Sequence, residues 1–153
     1  MSSGTRRAPS LPTLETYARH RAATAAWLVR SIEHGNGGSC AHFGAPLGWS
    51  RPYPETTGYV IPTLLTVAPA HPELRLRDLA TGCGRWLLSI QNADGSWNGG
   101  LHPPKGPPKP SVFNTGQILK GMVALHRAGG GAGFLEAASR GAAWLARTAD
   151  ASL

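Results

Sequence analysis

The feature that most constrains this chain is that it repeats itself. Trp27-Leu28-Val29-Arg30-Ser31-Ile32 is echoed 59 positions on by Trp86-Leu87-Leu88-Ser89-Ile90-Gln91, and Trp144-Leu145-Ala146-Arg147-Thr148 follows 58 positions later. A second word, Thr57-Gly58-Tyr59-Val60-Ile61, returns as Thr115-Gly116-Gln117-Ile118-Leu119, again at a spacing of 58. Two independent words sharing one period mark a unit that stacks on copies of itself to bury its apolar face.

Each unit reads as a Trp-Leu helix, a long Gly-rich loop and a Thr-Gly helix. From Leu14 the apolar positions run Tyr17, Ala18, Ala22, Ala25, Leu28, Val29 and Ile32. From Leu76 they run Leu79, Ala80, Cys83, Trp86, Leu87 and Ile90, and a third set runs Phe134, Leu135, Ala138, Gly141, Ala142 and Leu145. That spacing predicts one buried face per helix. The periodic Trp27, Trp86 and Trp144 are expected in the core or in hairpin packing. The Thr-Gly helices are expected near 57–69 and 115–128, with Thr57 and Thr115 as N-caps. Pro62 is harmless in a first turn and kinks the helix one turn later. Pro69, Pro72 and Gly129-Gly130-Gly131 predict short turns into the next Trp-Leu helix. The other connection is long, near Glu33 to Thr56 and again near Asn92 to Asn114, and long loops of this kind usually carry function. The expected fold is therefore all-α, about two and a half antiparallel helical hairpins forming an incomplete α/α toroid. Residues 13–150 form the repeat domain, and the polar, basic 1–12 is expected to be a disordered tail.

Composition narrows the function classes. The net charge of +7 comes from 15 basic and 8 acidic residues, scattered without a Lys/Arg run. Such scatter argues against nucleic acid as a partner. No apolar run approaches the roughly 18–20 residues that cross a bilayer. Without an apolar signal-peptide core, a cytoplasmic protein is expected. Gly35 to Gly38 follow a helix instead of opening one, so no phosphate-binding loop is read there. Cys40-x-His42, with His34 nearby, is too sparse a ligand set to predict a metal. No cofactor is expected.

Gln91-Asn92-Ala93-Asp94-Gly95-Ser96-Trp97 at a helix end resembles the repeats of squalene–hopene cyclases and related prenyltransferase-like α/α toroids. Tyr53-Pro54-Glu55-Thr56-Thr57-Gly58-Tyr59-Val60-Ile61-Pro62-Thr63-Leu64-Leu65, the Trp86 word, and Phe113-Asn114-Thr115-Gly116-Gln117-Ile118-Leu119 resemble six-hairpin, glycosidase-like proteins found with bacterial polysaccharide genes. The likeness spans roughly Trp27 to Arg147. It implies a carbohydrate-processing protein that binds a saccharide at the loop face, as a glycosidase-, lyase- or epimerase-like enzyme. That family pattern usually has Asp where Asn114 stands. A closed six-hairpin ring would take about 350 residues by the repeat period. The resemblance therefore also implies a homo-oligomer, or a partner chain that completes the toroid.

Within the resemblance Glu55, with Tyr53 and Tyr59, is the chemistry-bearing cluster. Glu55 would be a general acid or base on a sugar, or alternatively would accept amides at a helix start. Asp94, Asn114 and Gln117 would orient substrate, although Asp94 also fits an Asp-Gly turn. Trp49 and Trp97 would be platforms under pyranose rings, or loop anchors. Arg51 and His102 complete the substrate-binding set. Lys105 and Lys109 share with His102 a proline-rich arm expected to be extended, where they could meet an anionic sugar. Two other classes compete. A non-catalytic helical-repeat module would bind or assemble without turnover. A terpene-cyclase or prenyltransferase-like protein would need an Asp-rich motif, which this sequence lacks.

Overall fold

The computed structural model describes residues 13–150, and the described chain is all-α. The basic tail at 1–12 lies outside the described residues. Five helices carry the fold: α1 (Leu14–His34), α2 (Pro54–Val67), α3 (Leu76–Ser89), α4 (Val112–Arg127) and α5 (Ala132–Asp150). Two single-turn helices, Ala68–Ala70 and Pro72–Leu74, join α2 to α3. The first long loop also holds a two-residue antiparallel pair unanticipated from sequence, β1 (Phe43–Gly44) and β2 (Gly48–Trp49), with Phe43 opposite Trp49.

The helices pack in a chain: α3 on α2, α2 on α4, α4 on α5. Ile61, Leu64, Ala80, Cys83, Leu87, Ile118 and Met122 are fully buried where they meet. Burial pushes the Cys83 thiol up to about 12, so it behaves as a small apolar residue and is not a nucleophile. α1 departs from the expected pattern. Its C-terminal half buries Ala25, Ser31 and Ile32, but Leu14 is 88% exposed and Tyr17 57%. Periodicity alone does not bury a face. α3 and α5 each lie along a Thr-Gly helix, whereas the first turns of α1 have no such neighbour among the described residues.

The Thr-Gly helices begin at Pro54 and Ser111's successor Val112, one turn before Thr57 and Thr115, so these threonines are not the N-caps. Pro54 tolerates the first turn because its absent N–H would be unpaired there anyway. Ser111 caps α4 by accepting the Asn114 amide at 3.2 Å. Thr57 and Thr115 instead sit one turn inside, fully buried, and reach back to the loops. Thr57 Oγ1 accepts the Ser39 N–H at 2.9 Å, and Thr115 Oγ1 accepts the Trp97 N–H at 3.0 Å. Both pairs are separated by 18 residues. Cys40 and Asn98 make matching isolated bridges to Pro52 and Pro110. The two loops therefore share one backbone scaffold.

Pro62 falls inside α2. It has no N–H for the Gly58 carbonyl, and the bare Cα of Gly121 on α4 packs against that oxygen. Of the periodic tryptophans, Trp86 is half-buried against the core, as expected, and each of the three also touches a loop. Trp86 covers Gly38, where an added Cβ would lie 2.8 Å from the indole. Trp144 approaches the Asp94 carboxylate. Trp27, 39% exposed, lies against Trp49 with ring centroids 5.0 Å apart.

Candidate functional site

The two long loops meet directly. The His102 amide donates to the Pro52 carbonyl at 2.8 Å, and Arg51 Nη1 donates to the Pro103 carbonyl at 2.6 Å. Where they meet, a cavity of about 480 Å3 is lined by Trp49, Arg51, Trp86, His102, His34 and Asn36, among others. Three residues predicted as substrate contacts, Trp49, Arg51 and His102, thus come together. Each is held by a separate structural reason. Trp49 ends β2 and is wedged by Trp27, by Phe43 at 5.2 Å and by His34 at 5.5 Å. His102 stands edge-on to Trp86 at 5.4 Å. Arg51 is fixed by the Pro103 carbonyl.

The electrostatics are one-signed. Burial, and then the Arg51 charge, push the His102 pKa below its ordinary value, so its imidazole is neutral near pH 7. The His34 Nδ1 lies 2.8 Å from the Arg30 carbonyl, which can only accept. His34 is thereby a donor at Nδ1 and, when neutral, an acceptor at Nε2. On the other side of Arg51, a cleft of about 560 Å3 is lined by Lys105, Lys109, Gly99 and Gly100. No carboxylate lines either space. The arrangement offers indole surface, a fixed guanidinium and the neutral His102 imidazole, which suits a polar ring with hydroxyl or acidic substituents.

The remaining predicted residues lie elsewhere. Glu55 and Tyr53 are half-buried at the start of α2, and Tyr59 is 42% exposed on that helix; none of the three lines the cavity. Trp97, expected as a platform, is a core residue instead: it is fully buried and its indole N–H donates to the Leu87 carbonyl at 2.8 Å. Asn114 is also buried, not presented to a ligand. Its Oδ1 accepts from the Ser111 hydroxyl at 3.0 Å, and its Nδ2 donates to the Asn98 carbonyl at 3.4 Å. Asp94 holds a turn: its Oδ1 accepts the Ser96 hydroxyl at 2.6 Å and the Ser96 amide at 3.0 Å. Those bonds, joined by Trp144 and Arg147, lower its pKa. Gln117 accepts from Lys120 at 2.8 Å on the surface of α4. Cys40 is buried, and among the described residues no group of three His, Cys, Asp or Glu converges.

Sequence reasoning missed Trp86 and Asn36 as lining residues, and weighed His34 only as a metal ligand. The available signal was Gly37-Gly38, small residues that let the loop approach an aromatic ring. No helix among the described residues is long and apolar enough to cross a membrane. Comparison with known proteins returned no matching family model, no matching curated protein and no matching solved structure.

Proposed function

We propose that this chain binds a saccharide in the cavity between its two long loops, as a carbohydrate-handling protein of polysaccharide metabolism. One observation carries the reading. Trp49 and Trp86 line a single cavity together with the fixed Arg51 and the neutral His102. Indole faces are apolar platforms for sugar C–H groups, while a guanidinium and imidazole nitrogens pair with hydroxyl and acid oxygens. The adjoining Lys105 and Lys109 favour acidic substituents. The matched Thr57 and Thr115 clamps and the 58-residue period support an α/α toroid of which this chain supplies part.

Binding without turnover is the form of this reading that the geometry favours, because glycoside hydrolysis needs paired carboxylates and none lines the cavity. A role for Glu55 as acid or base would require a ligand that extends from the cavity onto the start of α2. Calorimetric titration with neutral and acidic oligosaccharides tests the proposal. Binding that Trp49→Ala and Arg51→Gln each weaken by about tenfold or more, roughly 1.4 kcal/mol, is the expected result. Unchanged affinity in both variants, or no binding across the panel, would overturn it. Glu55→Gln separates the two forms: a binding protein keeps its affinity, and an enzyme loses turnover.

A further inference from the structure

α2 and α4 approach through their backbones. A Cβ added at Gly58 would lie 2.6 Å from the Ile118 Cα, and one at Gly121 would run into the Gly58 carbonyl oxygen. Ile61, fully buried, completes the contact beside Gly121. So α2 seats α4 with a glycine and an aliphatic residue one turn on, and a turn further Leu65 lines a cleft with Leu125 of α4. α4 answers with the spacing Ile118-x-x-Gly121.

The same seat recurs 58 residues later on α4 itself, where Gly58, Ile61 and Leu65 become Gly116, Leu119 and Val123. There it is open. A Cβ at Gly116 would meet nothing within 4 Å. Leu119 and Val123 are only half-buried, and with Lys120, Ala124 and Arg127 they line a shallow groove of about 420 Å3. Leu119 is also anchored from behind, since it touches the position of Gly141 on α5. The groove floor is therefore fixed before anything docks.

We propose that this face of α4 is a docking seat for a helix built like α4, carrying an aliphatic residue three positions before a glycine and belonging to a further unit of this repeat. The continuity with the α2–α4 interface sets the register. The Lys120 and Arg127 rim adds a preference for carboxylates at the borders of the incoming helix. A second copy of this chain does not fit that register through α2. Its residues matching Ile118 and Gly121 are Val60 and Thr63. Val60 is already buried in its own core, and the Thr63 side chain stands where the close approach requires none. The seat rests on the reading of this chain as part of a toroid but not on the saccharide cavity, so either can fail without the other.

The test appends residues 91–150 after Thr148, which follows the repeat register and delivers a second copy of α4 to the seat through its own loop. The full chain and the extended chain are compared by thermal unfolding, hydrogen exchange and light scattering, each with and without Gly116→Leu. The extended chain should be monomeric, should melt about 4 °C or more above the parent, and should protect the amides of the appended helix. Gly116→Leu should leave the parent melting temperature unchanged or slightly raised, since it replaces a helix-interior glycine in open space, and should abolish the gain. An appended helix that exchanges like unfolded peptide overturns the proposal. So does Gly116→Leu destabilising the parent as strongly as the extended chain. A dimer of the unmodified chain that Gly116→Leu dissociates would put a second copy in the seat, and overturns the occupant stated here.

Discussion

Thr57 holds the amide of Ser39 in the first loop, and Thr115 holds the amide of Trp97 in the second. The side chains at those two matched amides then diverge. Ser39 is part of a small buried hydroxyl network, in which Ser31 Oγ lies 3.2 Å from Ser39 Oγ and accepts the Cys40 amide at 3.0 Å. Trp97 fills the corresponding space with an indole anchored on Leu87. The first loop keeps its tryptophan, Trp49, at the cavity wall, while the second buries its own. Backbone clamps are thus inherited by both copies, whereas the choice of which aromatic faces a ligand is made loop by loop.

That contrast can be broken experimentally. Trp97→Ala should have the largest effect, because it empties a core site and removes the indole bond to the Leu87 carbonyl; a loss of about 3–5 kcal/mol in denaturant unfolding is expected. Trp49→Ala, the same chemical change at the cavity wall, should cost less, about 1–3 kcal/mol, since its indole packs on Trp27 and Phe43 but keeps part of its surface in solvent. Similar losses at the two positions would erase the distinction between anchor and platform. Thr57→Val and Thr115→Val come next. Each leaves a buried amide without an acceptor and should cost about 1–3 kcal/mol, by nearly equal amounts if the clamps are equivalent. A clear inequality would show that the shared scaffold is only geometric.

The smallest effects concern pH. His102 has a folded pKa below its unfolded 6.5, so the folded state resists its protonation. Its stabilising contribution is complete above the unfolded value and is lost as pH falls toward the folded one. His102→Gln should flatten the fall in stability as pH drops below the unfolded value of 6.5, as read by urea midpoints at each pH. Asp94 acts in the same direction at lower pH. Its contribution is present above the unfolded value of 3.8 and disappears as pH falls through the folded one. Asp94→Asn should therefore remove a weak acid-side slope while leaving the neutral-pH midpoint nearly unchanged, because the residue is exposed.

The helices were legible because their apolar spacing and their recurrence say the same thing twice. α3 follows its predicted face, with Leu76, Ala80, Cys83 and Leu87 all buried. Boundaries were less legible: a buried threonine after a proline looks like a cap in one dimension and is a loop clamp in three. The exposure of Leu14 and Tyr17 was illegible for another reason, since burial depends on a neighbour and not on the helix that offers the face. Within the site, Trp49, Arg51 and His102 were readable as polar and aromatic groups in long loops. Trp97 and Asn114 carry the same chemical types, and only their bonds to Leu87, Ser111 and Asn98 assign them to structure.

The paired bonds from Arg51 to Pro103 and from His102 to Pro52 have a further consequence. Every wall of the cavity is borrowed: the first unit lends Trp49, Arg51 and His34, the second lends Trp86 and His102. The cavity is a property of a junction and exists in neither unit alone. Partial unfolding of either hairpin would therefore erase it, and adding a unit to such a chain would add a junction, with its own pair of loops free to evolve a different pocket.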